Sequence, residues 1–288
     1  MRARAPASSA NLGPGFDALA IALDCYVQVE VEPAGALMVH SEGEGAGLFD
    51  DASHLAARVA RSVLGHDRFA VRVHSQIPVS RGLGSSAALA VAAAAAAGAD
   101  DPFAVAAAYD GHAENAAAST FGGLVAATSV EGSPVHAHLP LSTELAFVVM
   151  VPDRNLSTPA ARGVLPDTLS RADAIFNLGR MGLLVAGLAD PLQLGHAATG
   201  DRLHQDARSA LFPEAPGLLA ALVEAGALAS CWSGAGPSLL GMTTQASAEA
   251  VRDGAEAALR AAGLPGQALV FHADRRGLVY GDEAVLPG

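Results

Sequence analysis

A glycine–serine turn that runs into an alanine-rich stretch most constrains what this chain can fold into. Residues 78–98 read PVSRGLGSSAALAVAAAAAAG. Gly82 and Gly84 permit left-handed backbone conformations and let a ligand approach the main chain closely. The alanines that follow favour a helix. We expect this helix to start at Ser85 and Ser86, because serine is a preferred N-cap residue.

This turn has the features of an anion-binding site. A helix start offers unpaired N–H donors and a partial positive charge, and serine hydroxyls add further donors. The chain contains no lysine, so all 17 of its basic residues are arginine, and the turn cannot be a Walker A loop. Its glycine spacing also differs from the Rossmann fingerprint and from a G-x-S-x-G elbow. The residues alone leave open an ordinary loop-to-helix turn with a serine cap.

Composition narrows the class of protein. The 288 residues are 51% hydrophobic, which suffices for a large core in one or two domains. A net charge of −12 disfavours nucleic acid and anionic membranes as partners. The N-terminus lacks a signal-peptide apolar region, and the apolar run 87–97 is too short to span a bilayer. We therefore expect a cytoplasmic protein with no membrane or nucleic-acid partner.

Helix and strand patterns alternate in both halves of the chain. Period-two alternation predicts strands at 26–32 and 69–75, and residues 54–65 have helical spacing with a final glycine. This alternation predicts an α/β or α+β architecture with a boundary near 140–150. Further strands are predicted at 144–152, 229–234, 268–274 and 277–282, and further helices over 103–118, 170–189 and 246–262.

Several apolar residues are predicted to be structural. Cys25 and Cys231 lie in strand-like apolar contexts and are expected to be buried free thiols. Trp232 is expected in the core rather than at a ligand. The segment MGLLVAGL at 181–188 is expected to be a core helix.

Two further glycine-containing motifs flank the turn. Residues 5–23 read APASSANLGPGFDALAIAL, and residues 233–241 read SGAGPSLLG. With the turn, in this order and spacing, they resemble the three signature motifs of the GHMP kinase superfamily, and the first motif resembles the homoserine kinase version. Three more segments are similar to that family: GHAENAAASTFGGL at 111–124, LSTPAARGVLP at 156–166 and DRLHQDARSALFP at 201–213.

The resemblance implies a fold and an activity. The fold would be α+β, with a ribosomal-protein-S5-like GHMP kinase domain over residues 1–145 that contains the phosphate loop, and a ferredoxin-like domain over residues 146–288. The activity would be ATP- and Mg²⁺-dependent phosphorylation of the side-chain hydroxyl of L-homoserine, in threonine biosynthesis. The resemblance also implies a homodimer, although the sequence shows no interface signal.

The resemblance also assigns roles to individual residues. Asp17 would bind the substrate ammonium group, and Asn11 would contact the substrate beside it. Arg162 and Arg208 would hold the carboxylate, because a planar guanidinium suits a carboxylate better than an ammonium does. The remaining assignments are Asn115, Thr158 and Arg162 at the reacting hydroxyl; His112 and Gly234 in the substrate pocket; Pro78, Arg81, Gly82, Leu83, Gly84, Ser85, Ser86 and Ala87 around the ATP phosphates; and Ser86 and Asp110 at Mg²⁺.

Three positions depart from the family pattern. Asp110 stands where a magnesium-binding glutamate is expected, and its shorter side chain could act through a water molecule. Glu114 stands where aspartate is commoner, and His54 where an asparagine near the adenine is expected. With no carboxylate assigned beside the reacting hydroxyl, the proton would leave late, to the phosphate itself.

Two alternative functions remain open at this level. One is a GHMP kinase that acts on another small amino alcohol or polyol. The other is a relative that binds ligands without catalysis, which only Asp110 favours. Individual residues also have ordinary structural explanations: Asp17 could cap a helix, Asn11 could serve a turn, His112 could be a core histidine, and Arg162 and Arg208 could form surface ion pairs.

Overall fold

Two β-sheets organise the chain in the computed structural model, which describes residues 1–48 and 50–286 apart from the side chain of Asp110. The first sheet has seven strands in the order β11-β1-β2-β4-β3, with β5 paired to β2 and β6 to β5. Its strands are β1 (Arg2–Asn11), β2 (Gly15–Pro33), β3 (Met38–Gly43), β4 (Phe69–Ser75), β5 (Leu124–Val130), β6 (Ser133–Leu139) and β11 (Val279–Tyr280).

The second sheet has four antiparallel strands in the order β10-β7-β9-β8. They are β7 (Leu145–Pro152), β8 (Ala229–Trp232), β9 (Leu239–Thr244) and β10 (Gly266–Phe271). The short β11 then returns to the first sheet, where Ala3 lies opposite Tyr280. The α+β class is confirmed, whereas the division into residues 1–145 and 146–288 stays a prediction.

Helices cover both sheets. The helices of the first half are α1 (Leu55–Leu64), α2 (Ser85–Ala96), α3 (Pro102–Asp110) and α4 (Ala113–Phe121). Those of the second half are α5 (Thr158–Gly163), α6 (Arg171–Ala189), α7 (Gln205–Arg208), α8 (Ala215–Glu224) and α9 (Ala248–Ala261). Short 3₁₀ turns occupy Pro191–Gln193, His196–Thr199, Gln245–Ser247 and Gly281–Ala284.

Helix α2 is the central helix of the first core. It contacts β1, β2, α1, α3 and α4, and nearly all of its alanines are buried. A helix that is apolar on every face belongs inside a protein. Its N-terminus lies directly behind the glycine–serine turn, so the core holds that turn in place.

The second sheet packs on α8 and α9 around a separate core. Trp232 is fully buried there and packs edge-on against Phe212, with ring centroids 6.0 Å apart. Cys25 and Cys231 are buried free thiols. The structural roles predicted for these three residues are therefore confirmed.

The helix boundaries confirm some predictions and correct others. Helix α1 has His54 as its N-cap and Gly65 as its C-cap, as the pattern over 54–65 predicts. The prediction that a serine caps α2 is wrong, because Gly84, with a φ of 63°, is the N-cap and Ser85 is already helical. The prediction of a single helix over 103–118 is also wrong. Gly111, with a φ of 70°, is the C-cap of α3, and a separate helix, α4, begins at Ala113.

Candidate active site

A cavity of about 800 Å³ is lined by residues from both halves of the chain. It brings together almost all the predicted site residues, although they come from distant parts of the chain. Pro78 is not among its lining residues, and the side chain of Asp110 lies outside the described part of the structure. The predicted residues that line it are Asn11, Asp17, Arg81, Gly82, Leu83, Gly84, Ser85, Ser86, Ala87, His112, Asn115, Thr158, Arg162, Arg208 and Gly234.

The first turn of α2 faces this cavity with its N–H groups available. No side chain caps the helix, and the turn contains no acidic residue. The N–H of Ala88 is the first to bond back into the helix, to the Gly84 carbonyl at 2.9 Å. The three preceding residues, Ser85, Ser86 and Ala87, line the cavity. Unpaired N–H groups and the dipole at a helix start are features that suit an anion without any lysine.

The two glycines of the turn are required by close contacts. A Cβ at Gly82 would lie 2.2 Å from the Ser233 carbonyl oxygen, and a Cβ at Gly84 would lie 2.0 Å from Ser8 Oγ. Both residues have positive φ. Ser233 Oγ also donates to the Gly82 carbonyl at 2.7 Å. The turn is thus packed directly against the first and third glycine motifs.

Arg81 links the turn to the second sheet. Its guanidinium donates to Asp153 Oδ1 at 2.9 Å and to Asn155 Oδ1, both of which follow β7. Arg81 therefore lines the cavity while its charge is paired with a carboxylate. Its predicted contact with ATP phosphates stays a proposal.

Asn115 lies on the first turn of α4 and is held by neighbours. Its Oδ1 accepts from Ser8 Oγ at 2.9 Å, and its Nδ2 donates to Glu114 Oε1 at 3.2 Å. Glu114 is buried yet lines the same cavity. The cavity therefore contains a carboxylate beside Asn115, that of Glu114, to which the sequence motifs assigned no role.

Two oppositely charged side chains form an ion pair in the lining of the cavity. Arg162 donates to Asp17 Oδ1 at 2.7 Å, and both side chains are partly exposed to the cavity. The Asp17 N–H donates to Asn11 Oδ1 at 3.0 Å, and Asn11 Nδ2 donates to the Gly234 carbonyl at 2.8 Å. Asn11 and Asp17 both have positive φ, which is uncommon for residues other than glycine and which asparagine and aspartate tolerate best. Asp17 lies in β2 and caps no helix.

Arg208 is buried beside this pair. Its side chain is only 2% exposed, and its NH1 donates to the Gly234 carbonyl and to His204 Nδ1, each at 2.9 Å. Burial lowers the pKa of Arg208 to about 10, so the guanidinium remains charged at neutral pH. A surface ion pair is therefore excluded for Arg208, whereas Arg162 does form an ion pair, with Asp17.

His204 positions Arg208 and was not assigned from the sequence. Its ring is buried, stacks on Phe16 with centroids 5.0 Å apart, and bonds the Gly13 carbonyl through Nε2 at 2.8 Å. A carbonyl can only accept and a guanidinium can only donate, so the proton sits on Nε2 and Nδ1 accepts from Arg208. Burial lowers the pKa of His204 to about 4, which agrees with a neutral ring.

Asp201 organises the turn that carries His204. Its Oδ2 accepts from the N–H groups of His204 and Gln205, each at 2.8 Å, and its Oδ1 accepts from Asn177 Nδ2 at 2.7 Å. The D-x-x-H-Q-x-x-R pattern therefore encodes a carboxylate that holds a short helix, a neutral histidine and a buried arginine. The sequence pattern indicated that this segment is functional, but the separate roles of Asp201, His204 and Arg208 become visible only in the structure.

The neutral state of His204 predicts an acid-sensitive fold. Its folded pKa of about 4 is below the ordinary value of 6.5, so this contribution to stability is complete above pH 6.5 and is lost as the pH falls towards 4. The loss is on the order of 3 kcal/mol. Urea unfolding across this pH range should show a shallower dependence for His204→Gln. Substituting the exposed His196 by glutamine should leave the dependence unchanged, and an unchanged His204→Gln profile would contradict the assignment.

Three further predicted or noted residues occupy the cavity wall. Thr158 begins α5, whose N-cap is Ser157. His112 is at the N-cap position of α4 and is half-buried, not a core residue. His54 Nδ1 accepts from the Ala56 N–H at 3.1 Å, and burial lowers the pKa of this histidine. His54, which departs from the family pattern, therefore both caps α1 and lines the cavity.

Comparisons with known proteins agree with this architecture. The chain matches the model of the GHMP kinase N-terminal domain over residues 52–123 and that of the C-terminal domain over residues 184–261. It is 41% identical to a homoserine kinase from Mycolicibacterium smegmatis, covering 83% of each chain. It is 40% identical to one from Thermus thermophilus, covering 81% of this chain and 84% of the relative.

Solved structures show the same similarity. A homoserine kinase from Cytophaga hutchinsonii superposes with a TM-score of 0.85 at 26% identity, covering 97% of this chain and 96% of that one. A mevalonate kinase from L. major has a TM-score of 0.71 at 16% identity, over 93% and 95% of the two chains, and supports the fold alone. The two-domain GHMP kinase fold is therefore confirmed, and the chain belongs to the homoserine kinase family of the GHMP kinases.

Proposed function

We propose that this enzyme transfers the γ-phosphoryl group of ATP to the side-chain hydroxyl of L-homoserine, forming O-phospho-L-homoserine for threonine biosynthesis. The observation that carries the proposal is the pairing of two subsites in one cavity. One is the uncapped N-terminus of α2, which suits phosphate. The other is the group of Asp17, Arg162 and Arg208, which suits a zwitterion.

The second subsite is complementary to the head group of an amino acid. Asp17 offers a carboxylate to the ammonium group, while Arg162 and Arg208 offer guanidinium groups to the carboxylate. The Asp17–Arg162 pair, at 2.7 Å, places the two opposite charges side by side. A hydroxy acid such as mevalonate, or a neutral polyol, has no ammonium group to satisfy Asp17. These charges therefore favour an amino acid over a neutral or purely anionic acceptor.

The cavity residues suit a transfer that depends on positioning. Asn115 and Thr158 are the polar groups proposed to orient the hydroxyl. The hydroxyl oxygen forms the new bond to the γ-phosphorus, the bond to the bridging oxygen breaks, and its electrons leave with ADP. The hydroxyl proton passes to the transferred phosphate. Donors fixed before the reaction stabilise the developing charge without reorganising.

Magnesium is a further part of the proposal. Ser86 Oγ and the Glu114 carboxylate line the cavity near the phosphate site, and such hard oxygen ligands fit Mg²⁺. Asp110 remains a proposed ligand. Among the described residues, no three His, Cys, Asp or Glu side chains are grouped to hold a metal, so few protein ligands would share the ion with phosphates. Bound magnesium would neutralise charge on the phosphates.

Ser86→Ala tests the metal assignment. Loss of one hydroxyl ligand should weaken binding of Mg-ATP by about tenfold, while binding of ATP measured in EDTA should change little. Isothermal titration calorimetry with and without magnesium measures both. Ser62→Ala, in α1 away from the cavity, is the control. Equal weakening with and without magnesium would assign Ser86 to the phosphate instead.

Steady-state kinetics test the proposed acceptor. ADP release with Mg-ATP should show a kcat/KM for L-homoserine at least about 100-fold above that for L-serine, L-threonine or mevalonate. Selectivity for another alcohol would identify the enzyme as a kinase of that amino alcohol or polyol instead. Tight ATP binding without turnover on any acceptor would identify a non-catalytic relative. The curated relatives at about 40% identity are homoserine kinases, which favours neither alternative. Action in the cytoplasm remains a prediction.

A further inference from the structure

The aromatic ring of Phe16 lies beneath both arginines of the acceptor subsite. The Cζ atom of Arg208 is 5.4 Å from the centroid of this ring, and that of Arg162 is 5.6 Å from it. Both distances fall within the range of about 6 Å over which a cation is attracted to an aromatic face. Phe16 is half-buried and is not among the lining residues of the cavity, whereas both arginines are. Phe16 therefore contacts the charged groups of the subsite from behind.

The two guanidinium groups repel each other across this ring. Burial is the main cause of the lowered pKa of Arg208, and the positive charge of Arg162 lowers it further. Asp17 compensates one of the two charges through its ion pair with Arg162. Before a substrate carboxylate arrives, the subsite therefore holds one more cation than anion. The electron-rich face of an aromatic ring offsets part of such an excess without adding a competing carboxylate.

The ring is fixed by the histidine that also holds Arg208. Phe16 and His204 stack with their planes 25° apart and their centroids 5.0 Å apart. His204 in turn bonds Arg208 through Nδ1 at 2.9 Å. Phe16, His204 and Arg208 thus form a closed set in which each side chain contacts the other two. The orientation of the guanidinium is determined by the ring as well as by its hydrogen bonds.

A second phenylalanine has a similar arrangement away from the cavity. Phe176, also half-buried, has Arg180 at 4.8 Å and Arg202 at 4.2 Å from its ring centroid. None of these three residues lines the cavity. An aromatic ring with two arginines is therefore not in itself a mark of function. What distinguishes Phe16 is that both of its arginines face the space where the acceptor is proposed to bind.

We propose that Phe16 is a positioning residue, whose ring face holds the guanidinium groups of Arg162 and Arg208 ready for the carboxylate of the acceptor. The inference rests on the proposed phosphorylation of L-homoserine and adds a determinant of its specificity. Phe16 touches no reacting atom. Its removal should therefore weaken the binding of acceptors that carry a carboxylate, and should leave kcat and the binding of ATP nearly unchanged.

Phe16→Leu tests this role with two acceptors. Leucine retains apolar volume but has no aromatic face, so the KM for L-homoserine should rise by about tenfold while kcat changes by less than about twofold. The efficiency with 3-aminopropan-1-ol, which is homoserine without its carboxylate, should not change. An effect transmitted through the adjacent Asp17 would weaken both acceptors, because both carry an ammonium group. Phe176→Leu is the matched control and should alter neither acceptor.

Fluorinated phenylalanines separate the charge of the ring from its shape. Fluorine withdraws electron density from the ring face but changes the size of the ring little. Analogues of phenylalanine with one, two and three fluorines, incorporated at position 16 of the full chain, should raise the KM for homoserine stepwise at constant KM for ATP. The same series at position 176 should show no trend in either KM. Thermal unfolding of each protein checks that the variants fold.

The proposal is overturned if Phe16→Leu weakens both acceptors equally, or if the KM for homoserine does not depend on the number of fluorines. Failure of the proposed function has a different signature, because the wild type itself would not phosphorylate homoserine. The amino acid that it does phosphorylate, paired with its decarboxylated amine, then replaces homoserine in the same comparison. A wild type that accepts no amino acid would overturn both proposals.

Discussion

Arg208→Met should lower kcat/KM for L-homoserine by about 100- to 1,000-fold while the KM for ATP changes by less than about threefold. Arg208 is buried and charged, and it lines the cavity together with Asp17 and Arg162. Removing the guanidinium takes away a desolvated, charge-assisted contact with the proposed carboxylate. Methionine keeps most of the apolar volume of the arginine stem, so the cavity left behind is small.

The acceptor 3-aminopropan-1-ol isolates the carboxylate contribution. It has the hydroxyl and ammonium groups of homoserine but no carboxylate. Wild type and Arg208→Met should phosphorylate it with similar, low efficiency. Arg202→Met, which removes an exposed pair with Asp173, is the control and should behave as wild type. If Arg208→Met weakened ATP and homoserine equally, or lost activity equally on both acceptors, Arg208 would be structural rather than substrate-binding.

Gly84→Ala should lower kcat/KM for ATP by roughly 100-fold, because small displacements of a positioned group have effects of this size. The new Cβ would lie 2.0 Å from Ser8 Oγ and 3.1 Å from Asn115 Oδ1. Ser8 would have to move, which breaks its hydrogen bond to Asn115 and shifts the start of α2. One methyl group would then disturb the phosphate site and the hydroxyl-positioning residue together.

Gly65→Ala separates this clash from backbone strain. Gly65 also has a positive φ, of 71°, but nothing lies within 4 Å of the added Cβ. Both substitutions place alanine in the left-handed region, at about 1–2 kcal/mol each. Gly65→Ala should therefore lose only the stability that this strain costs and keep full activity. If the two variants had the same activity, the packing of Gly84 would not matter for catalysis.

Sequence patterns correctly predicted those helices and strands whose start and stop signals lie within a few residues of each other. The boundaries of α1 agree with its capping histidine and terminal glycine, and β4 has the predicted range. The cap of α2 was missed because a glycine in the left-handed region does what a serine side chain usually does. The break before α4 was missed because Gly111 appeared tolerable inside an apolar helix pattern.

Tertiary contacts explain what the sequence could not predict of the site. The motifs identified Asp17, Arg162 and Arg208, but their mutual geometry arises from β2, α5 and α7, which are far apart in the chain. His204 and Glu114 look ordinary until burial and neighbours give them partners. The outer face of α6 was missed for the same reason, because Leu183, in the segment predicted to be a core helix, is 50% exposed. An apolar helix looks the same in sequence whether its outer face is buried or exposed.

Phosphoryl transfer to homoserine is tested most directly by ³¹P NMR of the enzyme with Mg-ATP and L-homoserine. We expect a new phosphomonoester resonance, split by the methylene protons of the side chain, that grows in proportion to ADP. The same mixture with Arg208→Met should show this resonance only slowly. A spectrum that contains only ATP, or in which inorganic phosphate alone accompanies ADP, would contradict phosphoryl transfer to homoserine in this cavity.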